Sequence, residues 1–354
     1  MNLKELSALL GLSQTTVSRA LNDYPEVSET TRKRVKAAAL ANNYTPNPRA
    51  KGLATGRSMA IGHVIPISTQ HEMVNPIFAD FIAGAGEVYA GADHDLLMSV
   101  VPDVDEERTY RNLAARGSVD GVIVHGPRAD DSRIALLKKL GLPFVVHGRA
   151  GADEDSYSWV DVNNRRSFQR ATEFLLQLGH RRIALINGLE GMDFANRRRA
   201  GYEAALAARA IAPDAALMAS DEMTEEFGYR TARDMLARDA APTAFVVSSM
   251  LTAIGVRRAI GDAGLCMGRE VSVVIHDDVL SYLRNGGDIP LFTAVRSSVH
   301  LAGRLCARML LDLIASPGAP PARRLLETEL VIGQSTGPVP GPAPGNGPAP
   351  GDRG

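Results

Sequence analysis

A chain of 354 residues, 45% hydrophobic and 22% charged, is ordinary globular material, too long for one small domain and without an apolar run long enough to cross a bilayer. The net charge of -1 conceals a division: residues 1–58 hold nine Lys/Arg against four Asp/Glu, a net of +5 that leaves -6 for the rest, so the part fitted to meet phosphate is the N-terminal one. The two cysteines, Cys266 and Cys306, lie far apart, make no metal-ligand spacing and read as buried thiols of a reducing compartment; with no signal peptide ahead of them, the expected location is cytoplasmic.

Leu6, Leu9 and Leu10 give the apolar face of a first helix, capped by Asn2 with Glu5 closing a capping box, and Gly11 ends it in a left-handed turn. Ser13 caps a second helix in which Val17, Ala20 and Leu21 face inward, while Gln14, Thr15, Ser18 and Arg19 point out. Short polar side chains near a helix N-terminus, with an arginine one turn later, suit a helix laid in the major groove to read base edges and grip phosphate. A third helix runs from Ser28 to about Asn42 and carries the basic run Arg32-Lys33-Arg34 with Lys36.

The stretch from Pro46 to Ala54 is a linker holding a short conditional helix, with Asn47 as cap, Pro48 at the first helical position and Gly52 weakening the interior. From Met59 the pattern alternates. Strands are expected at Ile61–Ile65, Leu96–Val100, Gly121–Val124, Phe144–Val146, Ile183–Ile186, Ala244–Val247, Val271–Ile275 and Phe292–Val295, with amphipathic helices between and after them. Such alternation implies α/β architecture, parallel sheets with helices on both faces, and the run is long enough for two sheets. Beyond Thr336 a Pro/Gly repeat without apolar residues is expected to be disordered.

Ligands of open α/β sheets gather at the carboxyl ends of strands. That rule picks out His125, His147, Arg149, Ser248, Ser249 and Asp277. Phe194 and Tyr229 read as core. Gly84-Ala85-Gly86 falls inside a predicted helix and lacks the later glycine, so it is no dinucleotide loop; without a phosphate-binding lysine loop, metal-ligand cluster or serine elbow, neither cofactor, metal nor enzymatic activity is expected.

The run Leu12-Ser13-x-x-Thr16-Val17-Ser18-Arg19-Ala20-Leu21-Asn22, then Val27-Ser28-x-x-Thr31-Arg32, Asn43-Tyr44-x-Pro46-Asn47 and Leu53-Ala54-Thr55-Gly56-Arg57 resembles the headpiece and hinge of lactose repressor/galactose repressor family regulators. Further on, Leu178-Gly179-His180-Arg181-Arg182-Ile183-Ala184, Arg198-x-Ala200-Gly201-Tyr202 and Asp277-Asp278 fit the family's effector core. The resemblance implies a three-helix helix-turn-helix headpiece over 1–45, a hinge helix over 46–58 and a two-lobed, periplasmic-binding-protein-like core over 59–336, followed by a tail over 337–354. The lobes would divide as about 60–160 with 294–320, and 161–293 with 321–336.

It implies that Ser13, Gln14, Thr15, Thr16, Ser18, Arg19 and Asn22 meet DNA, with Leu53 wedged in the minor groove beside Ala50. It places effector contacts at Asn75, Phe78, Arg198 and the carboxylate Asp277, alongside His125, His147, Arg149 and Ser249. Met250, Asn163-Asn164, His276 and Met223 depart from the usual family pattern, so the effector is not readable from them; a sugar is expected, and Asn75-Pro76, His147-Gly148-Arg149 and Asp277 lean toward an α-glucoside or related oligosaccharide. The function implied is a ligand-responsive repressor of carbohydrate genes acting as a homodimer on a pseudo-palindromic operator, because one headpiece reads half a site. A solute receptor built on the same core is the alternative.

Overall fold

The computed structural model describes residues 1–44, 57–66, 75–151 and 153–339. The expected hinge helix, with Ala50 and Leu53, and the chain beyond Val339 lie outside the described residues.

Each headpiece helix is set by its cap. Helix α1 (Leu3–Leu10) starts at Asn2, whose side chain accepts from Glu5 N at 3.0 Å while the Glu5 carboxylate accepts from Asn2 N at 3.0 Å, and it stops at Gly11 with φ 63°. Helices α2 (Gln14–Leu21) and α3 (Glu29–Ala41) start at Ser13 and Ser28 in the same manner. Their inner faces meet in a core of Leu6, Leu10, Val17, Ala20, Val27, Val35 and Ala39. Leu9, expected on that face, is exposed, because Leu6 and Leu10, four apart, define the stripe and leave Leu9 at its edge. The basic run on α3 mostly fastens the domain: Arg34 donates to Leu10 O, Arg32 to the Tyr24 and Val27 carbonyls at 3.1 Å, and Lys36 pairs with Asp23 at 2.6 Å.

The core is built from two six-stranded sheets. The first contains β1 (Ala60–Pro66), β2 (Asp95–Val101), β3 (Gly121–His125), β4 (Phe144–His147), β5 (Ser158–Val162) and β11 (Arg323–Leu326), in the order β11-β5-β4-β3-β1-β2. Around it lie α4 (Pro76–Gly91), α5 (Glu106–Arg116), α6 (Ser132–Leu140) and α11 (Val299–Ala315). The second contains β6 (Ile183–Asn187), β7 (Met218–Ser220), β8 (Ala244–Val247), β9 (Ser272–Asp277), β10 (Thr293–Arg296) and β12 (Glu329–Val331), in the order β12-β10-β9-β8-β6-β7. It is flanked by α7 (Asn164–Gln177), α8 (Asp193–Ala207), α9 (Glu225–Leu236) and α10 (Met250–Asp262). Every pairing is parallel except β12 against β10. Buried on both faces, the central strands are continuous apolar runs, which is why their sequence signal is strong.

The chain crosses between lobes after β5, after β10 and after β11. All three crossings fall later than the expected divisions at 160/161, 293/294 and 320/321: β10 pairs with β9, carrying Val295 into the second lobe's core, and β11 pairs with β5 in the first sheet. Helices α4 and α11 cross at a reciprocal pair of glycines. A Cβ on Gly84 would stand 2.1 Å from His300 O, and one on Gly303 would stand 2.1 Å from Phe81 O. The Gly84-Ala85-Gly86 run is thus a helix-packing device. The tail also begins later than expected, since Val339 donates to Leu178 O at 2.9 Å and Ser272 Oγ exchanges bonds with the Gly337 backbone at 3.1 Å. Cys306 is buried as expected, whereas Cys266, in the turn after α10, is exposed. Among the described residues no helix is long and apolar enough to cross a membrane.

Candidate functional site

Helix α2 presents one face outward, and the structure divides its polar residues in two. Ser13 accepts from Thr16 N at 3.0 Å and its Oγ lies 2.8 Å from Thr16 Oγ1, while Asn22 Nδ2 donates to Ser18 O at 2.8 Å. These three residues each take part in a bond that caps an end of the helix. Gln14, Thr15 and Arg19 are exposed and Ser18 half-buried, the arrangement of a helix whose first turns read a groove.

The second candidate site lies between the lobes, at the switch points of both sheets, where β1 adjoins β3 and β6 adjoins β8. There the carboxyl ends of strands from the two lobes face one another across a cavity of about 190 Å³. The first lobe contributes Asn75, Phe78, Phe81, His125, His147 and Asp161; the second contributes Asn164, Phe194, Arg198, Ser248, His276 and Asp278. Asn75 caps α4, accepting from Ile77 N at 3.0 Å, and so starts the helix that carries Phe78 and Phe81 to the cavity.

Arg198 is the cavity's fixed cation. Only 6% exposed, it donates from Nε to Asn164 Oδ1 and from Nη1 to Ser248 O, each at 2.8 Å, and lies between the rings of Phe168 and Phe194, 5.0 and 4.8 Å from their centres. Burial pulls its guanidinium down to about 10, with Asp278 and Asp161 opposing the shift, so it remains charged at neutral pH. Asp161 is held from behind by Arg149, whose Nε donates to Asp161 Oδ2 at 2.8 Å and whose Nη1 donates to Glu154 at 3.0 Å. Burial still pushes the Asp161 carboxyl above its usual range.

Histidines form the wall opposite. His63 Nδ1 lies 2.8 Å from His125 Nε2; the ring of His125 meets Phe78 and Phe81 edge-on at 5.1 and 4.9 Å, and Phe81 lies against His147 at 4.4 Å. Burial lowers His63 to about 3, His147 to about 4 and His125 well below the ordinary imidazole value, so all three rings are neutral. The linkage has a definite sign. Below the unfolded value of about 6.5 the unfolded chain binds protons that the folded one refuses, so stability is full above that pH and falls as pH drops toward the folded values. Each ring is expected to cost up to about 1.4 kcal/mol per pH unit in that window, which for His147 closes at a higher pH than for His63. Urea unfolding followed at pH 7, 6 and 5 checks this, and a midpoint that does not move below pH 6 contradicts it.

Five of the eight expected effector residues thus converge on the cavity: Asn75, Phe78, His125, His147 and Arg198. Three do not line it. Asp277 accepts from Val279 N at 2.9 Å and faces Arg296 at 3.4 Å, because the alternation that puts Val273 and Ile275 into the core carries Asp277 to the same face and leaves His276 and Asp278 to the cavity. Ser249 caps α10, accepting from Thr252 N at 3.2 Å, and it is Ser248 that lines the cavity. Arg149 acts on Asp161 from outside. Phe194, read as core, is a cavity wall, whereas Tyr229 bonds Asp262 elsewhere. Sequence reasoning also missed Asp161, on an unrecognised strand, and Asn164, whose placement just past that strand was the available signal.

A second cavity of about 350 Å³ adjoins the first and shares His125, Gly126 and Met192 with it. Apolar Ile65, Leu189 and Met192 line it together with Glu106 and Arg133, which pair at 2.9 Å. At this rim the lobes are joined by backbone: Asp193 N donates to Pro127 O at 3.0 Å and Ala129 N to Gly191 O at 3.4 Å, and Arg197 reaches across to Glu154.

A DNA-reading unit coupled to a clamshell receptor is the architecture of a ligand-responsive DNA-binding regulator. Residues 2–47 match the model of bacterial regulatory proteins of the lacI family, and residues 172–336 match a periplasmic binding protein-like domain. The chain is 46% identical over 341 residues to the HTH-type transcriptional regulator AglR of Rhizobium meliloti (strain 1021), covering 96% of this chain and 95% of that one. It is 31% identical over 334 residues to the HTH-type transcriptional regulator CelR of Thermobifida fusca, covering 94% and 97%. Among solved structures, the lac repressor dimer bound to operator and the anti-inducer ONPF superimposes with a TM-score of 0.80 at 26% identity, over 95% of this chain and 99% of that one. A CelR–cellobiose complex gives 0.70 at 29% identity, again over 95% and 99%. The chain belongs to the lacI family of bacterial regulatory proteins.

Proposed function

We propose that this regulator is a cytoplasmic homodimeric repressor of carbohydrate uptake or catabolism genes, and that a sugar in the interlobe cleft, a glucoside of at least two units, changes its affinity for a pseudo-palindromic operator. The observation that carries the reading is the cavity's donor set. Arg198 supplies charged donors, Asp161 and Asp278 supply charged acceptors, and Phe78 and Phe194 supply flat apolar faces. A pyranose needs that combination, because its hydroxyls both donate and accept while its C–H face is apolar. The adjoining cavity leaves room for a second unit, in keeping with the cellobiose held by the CelR structure. On the DNA side, Gln14, Thr15, Ser18 and Arg19 read the groove, Ser13, Thr16 and Asn22 set the helix that carries them, and the hinge segment with Ala50 and Leu53 enters the minor groove.

Fluorescence anisotropy on a labelled palindrome from upstream of a neighbouring sugar operon, with maltose, trehalose, sucrose and cellobiose added in turn, tests this. The expected result is sequence-selective binding that one of these sugars changes by about 5- to 150-fold. Equal affinity for random and palindromic duplexes would sink the DNA half of the reading, and indifference to all four sugars the effector half.

A further inference from the structure

At and behind the cleft wall three polar side chains form a chain, of which the inner two are closed off from solvent. His125 ends β3, His63 sits within β1 and is fully buried, and Tyr89 rises from α4, 1% exposed. His125 Nε2 is 2.8 Å from His63 Nδ1, and His63 Nε2 is 3.1 Å from the Tyr89 hydroxyl. A neutral imidazole has one N–H and one bare nitrogen, so fixing the role of one fixes the other. Burial keeps both histidines in that neutral form.

Two proton arrangements join the three groups. In one, the Tyr89 hydroxyl donates to His63 Nε2, His63 Nδ1–H donates to His125 Nε2, and the His125 proton sits on Nδ1. In the other every bond is reversed, and Tyr89 accepts from His63 instead. That reversal turns the Tyr89 proton away from its bonding partner to where no described residue accepts it, and a buried hydroxyl proton left without an acceptor is strongly disfavoured. The first arrangement gives the Tyr89 and His63 protons acceptors. It leaves His125 Nδ1–H without a partner among the described residues, on a residue that keeps 8% of its surface exposed. His125 is part of the wall of both cavities.

We infer that Tyr89 and His63 are positioning residues that lock His125 as a hydrogen-bond donor, through Nδ1, to an acceptor oxygen of the effector where the two cavities meet. This rests on the reading of the cleft as the effector site. A hydroxyl rotates to serve either polarity, but the bridging or ring oxygen of a glycoside only accepts, so an ether oxygen can be met at the junction only while His125 presents its N–H there. The pair acts on the sugar only through His125, as an outer hydrogen-bond partner fixes the tautomer of a metal-bound histidine.

The test is a long-range 15N–1H correlation spectrum of 15N-histidine-labelled full-length protein without ligand, with the His125 signals assigned by their loss in His125→Gln. The expected result is a His125 ring protonated at Nδ1 and bare at Nε2. In Tyr89→Phe the bias is removed, so both His125 tautomers appear, and affinity for the sugar of the maltose, trehalose, sucrose and cellobiose set that raises the melting temperature falls about three- to ten-fold. A wild-type ring protonated at Nε2, or a Tyr89→Phe spectrum with the His125 tautomer unchanged, overturns the inference. Reading the wild-type spectrum requires no ligand and no Tyr89 variant, only His125→Gln for the assignment. Failure to find a sugar effector is therefore distinguishable from failure of the relay, and a misfolded Tyr89→Phe leaves the decision with the wild-type protein.

Discussion

Arg198→Leu is expected to lower sugar affinity by at least about a hundredfold and to leave operator binding that no added sugar changes. The magnitude follows from what the guanidinium does. Two of its nitrogens are committed to Asn164 and to the Ser248 carbonyl, which fixes the plane of the group, and no described residue bonds Nη2, the nitrogen left to a ligand. A charge-assisted bond to a ligand contributes about 1.5–3 kcal/mol, and leucine also leaves Asn164 and the Ser248 carbonyl buried without a donor. It further removes a positive charge near Asp161 and Asp278, although Asp161 keeps Arg149 as its partner. The apolar stem still fits between Phe168 and Phe194, so the fold is expected to survive with a lower melting temperature. Arg198→Lys separates charge from geometry: it keeps the cation and loses the planar fork, and an intermediate loss is expected. Calorimetric titration with the responsive sugar reads both, and wild-type affinity in Arg198→Leu would remove Arg198 from the site.

What the sequence disclosed and what it hid follow from the same physics. Strands β1, β3, β4, β6, β8, β9 and β10 are buried on both faces and announce themselves as apolar runs; β11 is an edge strand opening on Arg323-Arg324, exposed in the fold, and β7 and β12 are three residues each, too short for a period to show. Strand β5, Ser158-Trp159-Val160-Asp161-Val162, mixes polar and apolar residues because it delivers Asp161 to the cleft, and the same mixture hid both the strand and the carboxylate. The rule that ligands meet strand ends led to the cavity, but it did not separate Ser248 from Ser249 and it picked Asp277 rather than Asp278. Asp277 and Asp278, like Ser248 and Ser249, are adjacent in sequence but placed differently in the fold: Asp277 closes β9 against Arg296 and Ser249 caps α10, which leaves Asp278 and Ser248 to the cavity. Arg198 was legible through the resemblance alone, since in the sequence it stands in the run Arg197-Arg198-Arg199; in the fold Arg197 reaches across the lobes, Arg198 turns into the cavity and Arg199 pairs with Glu190 and Glu203 on the surface.

Arg19→Ala is expected to produce the opposite phenotype, operator affinity reduced by about a hundredfold or more with sugar affinity unchanged. Of the residues expected to meet DNA here, Ser13, Gln14, Thr15, Thr16, Ser18, Arg19 and Asn22, only Arg19 carries charge. A specific arginine contact to a base edge discriminates by about 1–3 kcal/mol, and a two-fold dimer on a palindrome loses it twice. Stability should barely change, because Arg19 is exposed and outside the headpiece core. Salt dependence separates the two ways arginine meets DNA: a lost phosphate contact lowers the slope of log affinity on log salt by about one per headpiece, whereas a lost base contact keeps the slope and relaxes sequence preference at one symmetric pair of positions. The complementary variant is Asp278→Asn, which should weaken the sugar and spare the operator, while Asp277→Asn, facing Arg296 and the loop, should lower the melting temperature and leave the sugar site's affinity intact. If Asp277→Asn abolished sugar binding while Asp278→Asn did not, the assignment of faces on β9 would be reversed.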